Sequence, residues 1–246
     1  MRMNIREKPS PNFNERPEGA KIDMLVLHYT GMQSADAALA RLCDAAAKVS
    51  SHYLIDERGI VTRLVPDEKR AWHAGVSHWM GKSDLNNCSI GIEIANGGHD
   101  FGSPPYPQMQ MLSVIGLCRE LTERHGIAQS RVLGHSDIAP TRKEDPGEYF
   151  SWMTLAAAGI GQWVEPVEIQ DGPMLELGAR GDDVSELQFR LATFGYGIEV
   201  LGIYDETTKA VVTAFQRHFR QVKVDGVADI STIATLQKLL AISTNP

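Results

Sequence analysis

Cysteine is scarce in this chain: three residues among 246. Cys43, Cys88 and Cys118 are odd in number and irregularly spaced, which argues against a disulfide framework. They are also badly placed to supply the thiolates of a closed structural zinc site. Cys43 and Cys118 fall in helical apolar patterns and are expected to be buried; Cys88 precedes a strand and is expected to be structural. Long apolar runs are missing too. No window holds the ~18 consecutive apolar residues of a membrane span. The opening stretch "MRMNIREKPSPNFNERPEGAK" has neither the apolar h-region nor the small-residue cleavage site of a signal peptide, and neither end carries a lipidation signature. A cytoplasmic location is expected on these grounds, with the periplasm as the alternative if a leader was removed. Positive charge is not in excess either: 24 Lys and Arg stand against 31 Asp and Glu, a net −7. That removes the electrostatic case for nucleic acid or an anionic membrane as partner. No strong internal repeat and no low-complexity segment stands out.

What is present is an ordinary soluble composition, 43% hydrophobic and 22% charged. The length suits a domain of about 150–170 residues with a small module attached, and a monomer is expected. Residues 1–20, rich in Pro and Asn, predict coil. "IDMLVLH" (22–28) reads as a buried strand. Ser34 caps a helix predicted to run to about Lys48. "SHYLIDERGIVTRLV" reads as two strands about a turn, and "SIGIEIANGG" as a strand ending in a Gly-rich turn. Between them lies a long His- and Trp-rich loop; such loops inside a compact domain are often functional. A helix over 107–125 is closed by Gly126, and "SRVLGHSDIAP" reads as a strand entering a loop. The polar stretch "EPVEIQDGP" reads as a linker. Three short helices follow, at about 181–193, 205–220 and 229–241. The fold class is therefore α/β, a mixed central sheet flanked by helices over 1–165, a linker at 166–173, and a small all-α three-helix module over 174–246.

Two of the eight histidines, His28 and His135, sit where an apolar strand meets a loop, the place where side chains leave the core and converge on a shared rim. Asp145 lies before Pro146, which biases it toward extended backbone. Two imidazoles and one carboxylate suit zinc and leave a fourth position open, as a catalytic site requires; the alternative for each histidine is a hydrogen-bonded rim residue. Glu93 stands between Ile92 and Ile94, and alternation puts it on the face opposite them. It is a candidate to move a proton for a metal-activated water, or else a solvent-facing acid. Lys143, two residues before Asp145, would share its side in an extended segment and could stabilise an oxyanion, or else be a surface lysine in the "RKED" run.

Four blocks in order, "MLVLHYTG", "SHYLIDERGIVTRLVPDEKRAWHAG", "SIGIEIAN" and "VLGHSDIAPTRKEDPG", together resemble the zinc-dependent N-acetylmuramoyl-L-alanine amidases of the AmpD-like family, over about residues 20–160. The resemblance implies one Zn2+ held by His28, His135 and Asp145, Glu93 as catalytic acid and base, and Lys143 as the transition-state cation. It implies hydrolysis of the amide between N-acetylmuramic or anhydro-muramic acid and L-alanine, with peptidoglycan or muropeptide fragments as partners. Trp72, His73 and Ala74 match the family's cleft loop, and Tyr29 and Asn96, beside a ligand and the base, are candidates to touch substrate. His52 is expected to serve the fold; His78, His99, His125 and His218 acquire no role. "LELGARGDDVSELQFRLATFGYG", "GIYDETTKAVVTAFQ" and "VDGVAD" resemble the three-helix peptidoglycan-binding module, on residues such as Gln188, Asp205, Thr208 and Gln216 that read as core and caps. A binding protein that senses peptidoglycan without cutting it, and a zinc peptidase acting within the stem peptide, are the alternatives. The first conflicts with the full set of ligands present; the second differs only in the bond cut.

Overall fold

The structure is a computed structural model and describes residues 4–243. Its strands are β1 (Ile5–Glu7), β2 (Phe13–Glu15), β3 (Met24–Tyr29), β4 (Tyr53–Ile55), β5 (Val61–Arg63), β6 (Lys69–Ala71), β7 (His78–Trp79), β8 (Lys82–Ser83), β9 (Ser89–Ile94) and β10 (Val132–Gly134). The helices are α1 (Ala35–Leu42), α2 (Gln108–His125), α3 (His135–Ile138), α4 (Trp152–Ala157), α5 (Asp182–Phe194), α6 (Glu206–Phe219) and α7 (Ile230–Ser243). Six strands form one mixed sheet in the order β1-β5-β4-β9-β3-β10, antiparallel only between β4 and β5.

The two faces of the sheet divide the chemistry. Leu25 and Leu27 of β3, Ile90, Ile92 and Ile94 of β9, and Tyr53 and Ile55 of β4 pack on Met111, Val114, Leu117, Cys118 and Leu121 of α2. The opposite face carries Met24, Val26 and His28, with Glu93 in register beside His28 and Leu54 beside Glu93. Period-two alternation thus sends one ligand candidate and one proton carrier out of adjacent central strands, side by side.

Several local expectations change. The N-terminal segment, predicted as coil, supplies β1 on the sheet edge and β2 paired with β6; strands of three residues are too short to show alternation. The helix from Ser34 stops at Leu42, because Asp44 starts a separate 3-10 turn by accepting from the Ala46 N–H. Cys43 consequently sits at the helix end and is only half-buried, whereas Cys88 and Cys118 are buried. The His- and Trp-rich segment contains β6 and the β7–β8 hairpin.

The C-terminal helices fall within one or two residues of their predicted limits. Gln188 and Gln216 are internal braces. Gln188 bonds Leu201, Gly202, Ile203 and Thr208, and Gln216 bonds Asp225, Gly226 and Val227. Asp205 caps α6 through the Thr208 N–H. The two halves share one apolar core: Val26, Trp79, Leu133 and Ile138 pack with Leu187, Leu191, Phe194, Phe215 and Phe219. The linker is tied down as well, Val167 bonding Ser231 and Thr235 beside α7.

His52 serves the fold, as expected. Its Nδ1 accepts from the Gly91 N–H, so Nε2 carries the hydrogen and donates to the Lys69 carbonyl. Burial, with the Arg16 guanidinium adjoining, lowers its pKa to about 3. The neutral ring therefore contributes stability that is full above the unfolded pKa, about 6.5, and is lost as pH falls toward 3. Urea unfolding between pH 7 and 4 should show a steeper loss of stability for wild type than for His52→Asn. Parallel pH profiles for the two would contradict this assignment.

Candidate metal centre

His28 is the fifth residue of β3, His135 the first of α3, and Asp145 lies in the turn-rich segment after α3. All three are buried. His28 Nδ1 stands 2.9 Å from His135 Nδ1 and 2.9 Å from Asp145 Oδ2, and His135 Nδ1 is 3.0 Å from the same oxygen.

The hydrogen-bond partners behind each ring fix what faces inward. Ser89 Oγ–H donates to the Leu85 carbonyl, so Ser89 Oγ accepts from His73 Nε2–H. His73 Nδ1 is then an acceptor and takes the His28 Nε2–H. His28 Nδ1 is left bare. His135 Nε2–H donates to the Ala74 carbonyl, which leaves Nδ1 bare in the neutral ring. Two lone pairs and a carboxylate oxygen therefore confront one another at 2.9–3.0 Å with no proton from these rings between them. That arrangement is repulsive unless a cation occupies the centre. Among the described residues these three form a cluster that could hold a metal ion. The donor set, two imidazole nitrogens and one carboxylate oxygen, fits a divalent ion of the zinc kind, and the His28–His73–Ser89 chain is the outer support such a ligand needs.

Charge follows burial. Burial lowers the His28 pKa to about 4, with His135 adding to the effect. Burial alone would raise the Asp145 carboxyl, but positive charge on the adjoining His135 and His28, when either ring is protonated, outweighs it and holds the carboxyl well below the usual carboxylate range. Glu93 behaves oppositely: burial, then the Asp145 charge, pushes its pKa up to about 8, against the pull of Lys143. Its Oε2 is buried without a hydrogen-bond partner.

A cavity of about 400 Å³ joins these groups. Its walls include His28, Arg41, Trp72, Glu93, His135, Lys143 and Asp145. Lys143 reaches it from a turn rather than the extended segment expected: the Arg142 and Lys143 N–H groups both bond the Ala139 carbonyl. The Asp145–Pro146 peptide is cis.

The other candidates divide. Trp72 and Tyr29 line the cavity; the Trp72 Nε1–H donates to Asn14 and the Tyr29 hydroxyl meets His99 Nδ1 at 3.0 Å. His73 lies behind His28 as its hydrogen-bond acceptor, over Gly91, where a Cβ would fall 2.4 Å from the His73 ring. Ala74 is fully buried and reaches the site only through its carbonyl. Asn96 closes the turn after β9: its amide donates to the Pro104 carbonyl and accepts the Gly98 N–H. Sequence reasoning missed Ser89 and Asp137 as supports. Ser89 is a plain strand residue, whereas the position of Asp137, two beyond His135, was the available signal.

Residues 18–148 match the family described as N-acetylmuramoyl-L-alanine amidase, and residues 180–236 match a peptidoglycan-binding domain family. The N-acetylmuramoyl-L-alanine amidase AmiD of Escherichia coli (strain K12) is 36% identical over 236 residues, covering 89% of this chain and 83% of AmiD. A solved complex of E. coli AmiD with the substrate anhydro-N-acetylmuramic acid-L-Ala-D-gamma-Glu-L-Lys superposes with a TM-score of 0.79 at 32% identity, covering 96% of this chain and 99% of that one. AmpDh3 from Pseudomonas aeruginosa, solved with an anhydromuramic pentapeptide, gives 0.76 at 30% identity over 92% of this chain and 94% of its own. With the fold, the ligand trio and the matched segments in agreement, the chain belongs to the N-acetylmuramoyl-L-alanine amidase family.

Proposed function

We propose that this protein hydrolyses the amide joining the lactyl group of N-acetylmuramic or anhydro-muramic acid to L-alanine, using one zinc ion held by His28 Nδ1, His135 Nδ1 and Asp145 Oδ2. The observation that carries this reading is the convergence of three unprotonated donors within 3.0 Å of one another beside Glu93 and Lys143 in one cavity. When bound, zinc supplies Lewis acidity toward a carbonyl and can lower the pKa of a water to about 7. The protein's own groups do the rest. Glu93 accepts a proton from the attacking water and returns it to the departing L-alanine amine. Its free Oε2 leaves it able to do both, and a dication close to it would draw its raised pKa down toward neutrality. Lys143, in the wall of the same cavity, would share the negative charge that develops on the former carbonyl oxygen. Trp72 lines the same cavity, and Arg41 lines it as a cation for a carboxylate of a stem peptide. The anhydromuramic peptides bound by AmiD and AmpDh3 are of this class.

The test is product analysis by mass spectrometry on anhydro-muropeptides and on intact sacculi, with and without chelator. Free peptides beginning at L-alanine are expected, abolished by the chelator and restored by zinc. Cuts farther along the stem, or turnover indifferent to the chelator, would overturn the proposal.

A further inference from the structure

We infer that the C-terminal module is a fixed part of the catalytic unit, in which Tyr196 and His218 act as positioning residues for His135 through the carboxylate of Asp137. This rests on reading His28, His135 and Asp145 as the metal site.

Asp137 is fully buried, two residues beyond His135 on α3. Its carboxylate accepts three hydrogen bonds: from the Gly134 N–H at 2.7 Å, the Tyr196 hydroxyl at 2.8 Å and His218 Nδ1–H at 2.7 Å. The first closes the strand-to-helix corner on which His135 sits. The other two come from the module, Tyr196 just after α5 and His218 within α6. A carboxylate in an apolar setting needs its donors, so the corner around His135 is completed only when the module is docked.

Neither donor is free to wander. The His218 ring stacks on Trp152 at 3.7 Å and on Phe219 at 3.8 Å. Tyr196 packs edge-on to Trp79 at 5.0 Å. The module grips the Asp145 side as well: Arg217 donates to Glu144, and Gln221 donates to the carbonyls of Glu148 and Phe150. Relative motion of domains is the default where the interface is small and polar. Here the core is continuous across it, and both ligand-bearing segments are held from the module.

The experiment uses full-length Tyr196→Phe, His218→Ala and His218→Asn at a temperature where circular dichroism shows each folded. Zinc affinity is read by competition with a chromophoric chelator, and kcat and KM on a soluble anhydro-muropeptide. Amide exchange of residues 134–138 is measured in the metal-free protein. Tyr196→Phe and His218→Ala should bind zinc about 10-fold more weakly, lower kcat with KM unchanged, and speed exchange at 134–138. His218→Asn, whose amide can donate to the same oxygen, should recover most of the loss. Zinc affinity, kcat and exchange all within twofold of wild type, even with a lowered Tm, would overturn the inference. A change in KM alone would also overturn it, by making the module a substrate-holding arm. Tyr196→Phe, which removes one hydroxyl, decides the matter should His218→Ala fail to fold. Wild-type protein that binds no zinc would sink the metal reading, while the exchange measurement would still judge the positioning.

Discussion

Glu93→Gln should lower kcat about 10²- to 10⁴-fold, the span that a positioned general acid and base contributes, while zinc binds as in wild type. Glu93 sits beside His28 in sheet register yet outside the ligand trio, so the amide replaces the carboxylate without disturbing a metal bond. Glutamine keeps the shape and cannot take the proton. Its substitution also removes a buried carboxyl whose pKa stands near 8 in the metal-free chain. The Gln variant should therefore fold at least as well as wild type, since the raised pKa means that ionising Glu93 costs stability as pH rises from about 4.5 to 8. Steady-state kinetics with metal analysis on the same preparation checks both halves. A kcat within a few-fold of wild type would remove Glu93 from the chemistry, and lost zinc would make it a ligand.

His135→Ala should abolish both zinc retention and turnover. Two donors remain, and one of them, the Asp145 carboxylate, loses the imidazole that does most to hold its pKa down. The Lewis acidity forfeited is worth several kcal/mol at the transition state, a rate loss of about 10³-fold or more. The contrast with Glu93→Gln is the informative feature: one variant is a loaded, silent enzyme and the other an empty one. Equal zinc content in His135→Ala and wild type, measured by inductively coupled plasma mass spectrometry after dialysis, would show that His135 is not a ligand.

Much of this centre was legible because alternation and strand ends constrain side chains strongly. A strand whose apolar run, Met24 to Leu27, gives way to His28 allows few destinations for that ring, and Glu93 between two isoleucines must face away from them. The C-terminal helices were legible for a similar reason, since Asp205 and the glycines at their ends mark boundaries. What stayed hidden depends on contacts between distant segments. The tautomer of His28 is set by His73 and Ser89, 45 and 61 positions away, and no local pattern announces a ring whose role is to accept one proton. Asp137 meets His218 across 81 residues. The edge strands β1 and β2 are too short for a periodic signal, so their pairing comes from the sheet that receives them. Lys143 and Asp145 share the cavity by way of a turn; two-residue spacing suggested the proximity for a reason that the backbone does not use.

X-ray absorption at the zinc edge of the loaded, full-length protein probes the ion and its ligands most directly. Two imidazole nitrogens at about 2.0–2.1 Å and carboxylate oxygen at about 2.0–2.2 Å are expected, with no sulfur in the shell. His28→Ala and His135→Ala, each made singly and dialysed as the wild type was, should lose the zinc signal, since either leaves only two of the three donors. Sulfur scattering at about 2.3 Å, or an ion bound equally well without either histidine, would contradict the centre described here.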